Sequence, residues 1–205
     1  MDLTDPTAVA LEIAEVLQRE GIDYALYGGL LLAAYGRARE TKDADLAVVR
    51  ADAAATSSLL ASHLGLQCIV AFDRRRFGGL AISRITLVEA DELNTLDLVE
   101  PADPDYAARA VARSPASTLR RREIRVLTPE DFVIFKVLST RDLDLEDAAS
   151  VLRSLGPDLD TGLIEREVDG LARSVRSHPV RDRWERIRGT SRGVEPTGGS
   201  ESPAC

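Results

Sequence analysis

A glycine pair, Gly28-Gly29, is followed fourteen positions later by Asp43-x-Asp45, and a lone carboxylate, Asp97, stands further along the chain. Each lies in an apolar run: Tyr24 to Tyr27 before the glycines, Leu46 to Val49 behind Asp45, and Leu96, Leu98 and Val99 around Asp97. On a β-strand, residues two apart point to one face, so Asp43 and Asp45 aim side by side at one point. Two carboxylates held that way repel unless a cation sits between them, and hard oxygen ligands suit Mg²⁺. A glycine pair at the mouth of a helix lets backbone N–H groups approach a phosphate closely. Metal beside phosphate is the setting of nucleotidyl or phosphoryl transfer.

The Asp-x-Asp spacing carries no weight by itself in so acidic a chain. Asp103-Pro-Asp105, Asp142-Leu-Asp144 and Asp158-Leu-Asp160 repeat it. Proline breaks the first. The second falls in a predicted helix, where positions two apart diverge by roughly 200°, and the third flanks a Gly-Pro turn. Only Asp43-x-Asp45 opens a β-rich apolar run behind a glycine pair and a helix-length segment. The alternation Thr95, Asp97, Val99 places Asp97 on one strand face, where a carboxylate between leucines is costly without a partner. The competing expectation for Asp97 is an exposed edge strand.

Gly28 to Leu46, including Arg39-x-Thr41-x-Asp43-x-Asp45, resembles the core of the polymerase-beta-type nucleotidyltransferases. The resemblance is to the minimal branch that holds the abortive-infection-type toxin enzymes and the antibiotic-modifying ones. Val126 to Lys136 is similar to the segment where such proteins begin a helical second half with a lysine. The likeness spans roughly residues 10–155. It departs at Gly29, where many members carry a serine whose hydroxyl meets a nucleotide phosphate.

The resemblance implies two Mg²⁺ ions held by Asp43, Asp45 and Asp97, with the first two bridging and the third near the acceptor. It implies an NTP bound by Gly28, Gly29, Arg39, Thr41 and Lys136. The expected reaction moves an NMP onto an acceptor hydroxyl of an RNA end, a protein or a small molecule, with release of pyrophosphate. Two alternatives stay open: an antibiotic-modifying enzyme, and a catalytically silent, antitoxin-like binding partner. The bland alternatives are a solvated loop beside Glu40 for Arg39 and a surface position for Lys136. Arg141 to Asp147 is most simply a charged helix entrance.

The elements that must position these residues follow from periodicity and punctuation. Helix is predicted over 6–19, strand at 23–27, a short helix over 30–35, strand at 44–49, helix over 51–64 and strand at 66–72. Arg74 to Gly79 is predicted as a turn, followed by strands at 80–88 and 94–99. Residues 101–118 are taken as a connection with some helix, and 122–127 as one more strand. Thr128-Pro129 starts a helix as N-cap and first helical residue, with further helices over 144–154, 160–174 and 179–188. The expected architecture is α/β (α+β): a mixed sheet with flanking helices over residues 1–127, then a small helical lobe over 128–188. Gly189 to Cys205 is Gly-, Ser- and Pro-rich and is expected to be disordered.

Composition bounds the partners. The 205-residue chain can bury a core, and its net charge of −8 repels nucleic acid at long range. That counts against a high-affinity DNA-binding module. Arg74 to Arg76, Arg120 to Arg122 and the arginines between 173 and 188 remain as candidate phosphate contacts, or as solvated faces. Cys68 and Cys205 give no disulfide framework or metal spacing, which suits a reducing cytoplasm. Cys68 is expected in the core and Trp184 as a helix anchor, while His63 and His178 are expected to be incidental. From the acidic start no signal peptide is expected, and no apolar run is long enough to cross a bilayer as a helix. Oligomeric state is not legible.

Overall fold

The computed structural model describes residues 1–191. Helix α1 (Pro6–Arg19) starts where Asp5 accepts hydrogen bonds from the Thr7 and Ala8 N–H groups and proline takes the first helical position. Strand β1 (Tyr24–Leu26) runs into α2 (Gly28–Tyr35), and β2 (Ala44–Val48) is followed by α3 (Ala53–Leu64), capped by Asp52. Then come three long strands, β3 (Gln67–Phe77), β4 (Leu80–Glu89) and β5 (Glu92–Pro101). Helix α4 (Pro104–Arg113) and the hairpin β6 (Ala116–Leu119) and β7 (Arg122–Arg125) lead to four helices. These are α5 (Pro129–Leu138), α6 (Asp142–Leu155), α7 (Thr161–Ser174) and α8 (Val180–Ser191).

The main sheet has the order β1-β2-β5-β4-β3. Strands β2 and β5 are parallel, and every other pairing in it is antiparallel, so the sheet is mixed as expected. Strand β5 is therefore central, not an edge. In β4, Ala81, Ser83, Ile85 and Leu87 are buried and Ile82, Arg84, Thr86 and Val88 only half-buried, the period-2 signature of a strand with two unlike faces. Helix α5 is buried along its whole length from Asp131 and packs against α6, α7 and α8. One hydrophobic core runs from Leu3 and Val9 in the N-terminal part to Trp184 and Ile187 in α8.

Several expectations need correction. The turn expected over Arg74–Gly79 shrinks to Gly78-Gly79, because β3 continues through the arginines to Phe77. Its pairing with β4 shifts register between Val70 and Phe72 and again between Phe72 and Arg75, and the extra residues of such bulges look like turn sequence from one chain alone. The connection over 101–118 contains β6, which pairs with β7. Cys68 is half-buried at the margin of the core. Helix α8 continues past Gly189 to Ser191, and the rest of the expected disordered tail lies outside the described residues. Among the described residues, no helix is long and apolar enough to cross a membrane.

Candidate active site

Pairing register sets the centre of the site. Asp45 on β2 stands opposite Asp97 on β5, Asp97 opposite Arg84 on β4, and Arg84 opposite Phe72 on β3. Register partners share a face, so the four side chains form one row across four strands. Asp43, two residues before Asp45, joins the row's face; its Oδ1 accepts a 2.7 Å hydrogen bond from the Thr95 hydroxyl. Asp43, Asp45 and Asp97 all line a single cavity of about 210 Å³.

The three carboxylates do not form a closed cage. Among the described residues, no three acidic, histidine or cysteine side chains stand close enough to hold a metal ion. A guanidinium is there instead. Arg84 donates from Nε and Nη2 to the two oxygens of Asp97, both at 2.7 Å, and its Nη2 lies 4.0 Å from Asp43. The same guanidinium stands 5.7 Å from the centre of the Phe72 ring. This is the partner that a carboxylate between two leucines requires.

Asp45 is treated differently. Among the described residues none donates a hydrogen bond to its carboxylate. Its pKa is pushed up to about 7, by burial first and by the Asp97 charge next, with Lys136 pulling the other way.

The glycine pair approaches these acids from behind. Gly28 opens α2 with φ of 71°, and a Cβ there would collide with the Asp45 carboxylate. Only glycine suits both demands. Gly29 faces elsewhere: a Cβ on it would lie 2.6 Å from the Thr41 Cβ. Gly29 therefore seats Thr41, whose hydroxyl points at the Asp43 carbonyl at 3.4 Å. Gly28 and Thr41 line the cavity with the acids; Gly29 supports them from outside its lining.

Lys136 is not a surface lysine. It is 2 % exposed, its Nζ donates to Asp144 at 2.7 Å and Asp147 at 3.0 Å, and it lies 5.2 Å from the Tyr27 ring centre. Arg39 reaches the same Asp147 at 3.3 and 3.4 Å, so the solvated Arg39–Glu40 loop gives way to a tie between the β2 approach and α6. Burial works to raise the pKa of Asp144, but the Lys136 charge and hydrogen bonds from Arg141, Lys136 and Ser139 outweigh it and hold it down at about 2. Asp144 and Asp147 are buried parts of this cluster, not a charged helix entrance. Sequence reasoning missed Arg84, Asp144 and Asp147 as site residues. The one available signal for Arg84 was its place among the polar-facing alternates of β4.

Several members of the other basic clusters pair with acids. Arg120 pairs with Asp5, Arg122 with Glu12 and Glu15, and Arg74 with Glu100. Arg181 and Arg188 meet Glu165, which also accepts from the Trp184 indole at 2.9 Å, so Trp184 is the expected anchor. His178 is buried, with Nε2 3.0 Å from the Val137 carbonyl. His63 lies 3.2 Å from Glu20.

The chain is similar to nucleotidyltransferases of known structure. An antigenic nucleotidyltransferase-like protein from Paracoccidioides brasiliensis aligns with a TM-score of 0.48 at 19 % identity, over 84 % of this chain and 92 % of that one. ANT(2″)-Ia, in complex with adenylyl-2″-tobramycin, aligns with a TM-score of 0.45 at 16 % identity, over 83 % and 97 %. These values describe a likeness of chain trace and assign no substrate. No family profile and no curated protein sequence matches the chain.

Proposed function

We propose that this protein transfers a nucleoside monophosphate from a nucleoside triphosphate to an acceptor hydroxyl, with release of pyrophosphate. The observation that carries this reading is the register match of Asp45 with Asp97 on adjacent strands, closed from behind by a positive-φ glycine at the start of α2. The donors are of the kind a hard divalent cation takes, all oxygen with three acids lining one cavity, but with Arg84 on Asp97 they do not stand close enough together to hold one in this arrangement. Asp43, Asp45 and Asp97 would hold Mg²⁺, which when bound polarises the phosphoryl oxygens and acidifies the acceptor hydroxyl.

In this reading the backbone turn at Gly28 meets the triphosphate and Thr41 keeps Asp43 in place. Lys136, held by Asp144 and Asp147, supplies a fixed positive charge to the phosphates, with Arg39 behind it. The acceptor approaches over Asp97. There the cavity wall consists of Arg84, Phe72, Phe77 and Ile82, and the Arg75 guanidinium stands 5.6 Å from the Phe77 ring centre. The phenylalanine rings of this wall offer a stacking surface to the bases of an RNA end.

One observation favours a silent binding module instead: both oxygens of Asp97 already accept from Arg84. Incubation with labelled NTPs, Mg²⁺ and either total RNA or an aminoglycoside pool decides between them. The expected result is NMP joined to RNA with equimolar pyrophosphate, lost in Asp43→Asn and Asp97→Asn. Nucleotide binding without transfer to any acceptor would support the silent module. Phosphate or free NMP released equally with and without acceptor would make the protein a hydrolase.

A further inference from the structure

We infer that Arg84 is a displaceable counter-ion: it closes the acidic site by clamping Asp97 and must be released from it before a divalent cation can be held. The inference rests on the carboxylates being a cation site. It concerns what occupies them beforehand.

The geometry leaves little choice. Both Asp97 oxygens are taken by Arg84, with two charge-assisted bonds in parallel, an arrangement that uses the carboxylate's best lone pairs. The Asp97 side chain is about 10 % exposed, so the guanidinium covers most of what it could offer a cation from the cavity. Arg84 itself is different. Its side chain is 36 % exposed, and it stands on a strand whose next neighbour in the row is Phe72. An arginine that leaves Asp97 keeps a resting place over that ring, with its stem still packed on the sheet. The acids beside it stay where the backbone sets them: the Asp45 carboxylate lies close against Gly28, and Asp43 accepts from the Thr95 hydroxyl.

The groups facing Arg84 are also arranged for exchange. Asp43 lies 4.0 Å away, beyond hydrogen-bond reach, so one guanidinium offsets part of the charge of two acids without satisfying both. A divalent cation drawing oxygens from Asp43, Asp45 and Asp97 replaces one positive charge by two. The arginine then swings toward the acceptor wall and presents its donors where an incoming anionic strand would lie. Cation binding and acceptor binding become linked through one side chain.

The test uses the whole protein and Mn²⁺, followed by electron paramagnetic resonance without nucleotide. Arg84→Gln, which removes the clamp, is expected to bind Mn²⁺ at least tenfold more tightly than the parent, about 1.4 kcal/mol. Arg84→Lys keeps the charge but cannot clamp both oxygens, and is expected to bind several-fold more tightly. In ¹⁵N-labelled parent protein, the Arg84 Nε–H resonance, assigned by its absence in Arg84→Lys, is expected to move when Mg²⁺ is added. This last measurement stands even if Arg84→Gln fails to fold. Unchanged or weaker Mn²⁺ affinity in folded Arg84→Gln, or an unmoved resonance at saturating Mg²⁺, overturns the inference. Arg84→Lys equal to the parent, with only Arg84→Gln tighter, reduces the effect to through-space repulsion and overturns the clamp. Absence of Mn²⁺ binding in every form, Arg84→Gln included, removes the cation site itself and the inference with it. Binding by the parent without tightening in the variants removes the inference alone.

Discussion

Replacing Asp144 by asparagine tests whether the Lys136 cluster is built as one unit. The substitution keeps the shape and leaves Ser139 a hydrogen-bond acceptor, but removes a negative charge 2.7 Å from the Lys136 ammonium. Two independent lines give the size. A drop in the Asp144 pKa from the ordinary 3.8 to about 2, at roughly 1.4 kcal/mol per unit, corresponds to roughly 2 kcal/mol. Breaking one side of a buried pair costs about 3–5 kcal/mol, and Asp147 still holds the lysine here, so the lower end applies. The expected loss is therefore about 2–3 kcal/mol at pH 7 in urea denaturation. The pH dependence has a definite sign. The folded-state pKa is depressed, so the contribution is complete above the unfolded value near 4 and disappears as pH falls toward 2. The parent should lose stability across that window, and Asp144→Asn should lose correspondingly less. A destabilisation below about 1 kcal/mol at pH 7, or the same acid slope in both proteins, would refute the reasoning.

Other substitutions probe the remaining parts. Gly28→Ala forces a β-carbon into the left-handed region at roughly 1–2 kcal/mol and against Asp45; calorimetry should show at least tenfold weaker MgATP binding, and unchanged affinity would remove Gly28 from the site. Lys136→Gln should weaken binding of a triphosphate at least tenfold and of the matching monophosphate much less; equal losses would mean the lysine only supports the fold. Trp184→Ala deletes a side chain 1 % exposed and its bond to Glu165, with an expected cost of about 3–5 kcal/mol in chemical denaturation, and a cost under 1 kcal/mol would show that α8 is not anchored by it.

What could be read from the sequence was whatever depended on neighbours in the chain. Alternation placed Asp43 beside Asp45 and gave Asp97 its face, and Thr128-Pro129 fixed the start of α5 within one residue. Register was not readable. That Asp97 meets Arg84, and Arg84 meets Phe72, depends on how three strands slide past one another, which no local pattern records. The α6 acids failed for another reason. An acid in a first helical turn favours the helix dipole wherever the helix points, which covers Asp144, and Asp147 one turn on stands among other acids, so both look the same in sequence whether they face water or Lys136. Strand β6 was hidden because Ala116-Ser-Thr-Leu has no buried face of its own and exists only by pairing with β7.

The irregular outer strand has a consequence for how the molecule behaves in a crowd. An eleven-residue strand at the margin of a sheet offers a row of unpaired backbone groups to any other chain, and β3 is such a strand. Two register shifts bend it away from straightness, and Arg74, Arg75 and Arg76 place exposed charge along the half nearest Phe77. A second copy attempting to extend the sheet there would have to match a kinked backbone and set like charges against one another. The sequence that looked like a turn thus keeps the sheet from growing beyond its own five strands.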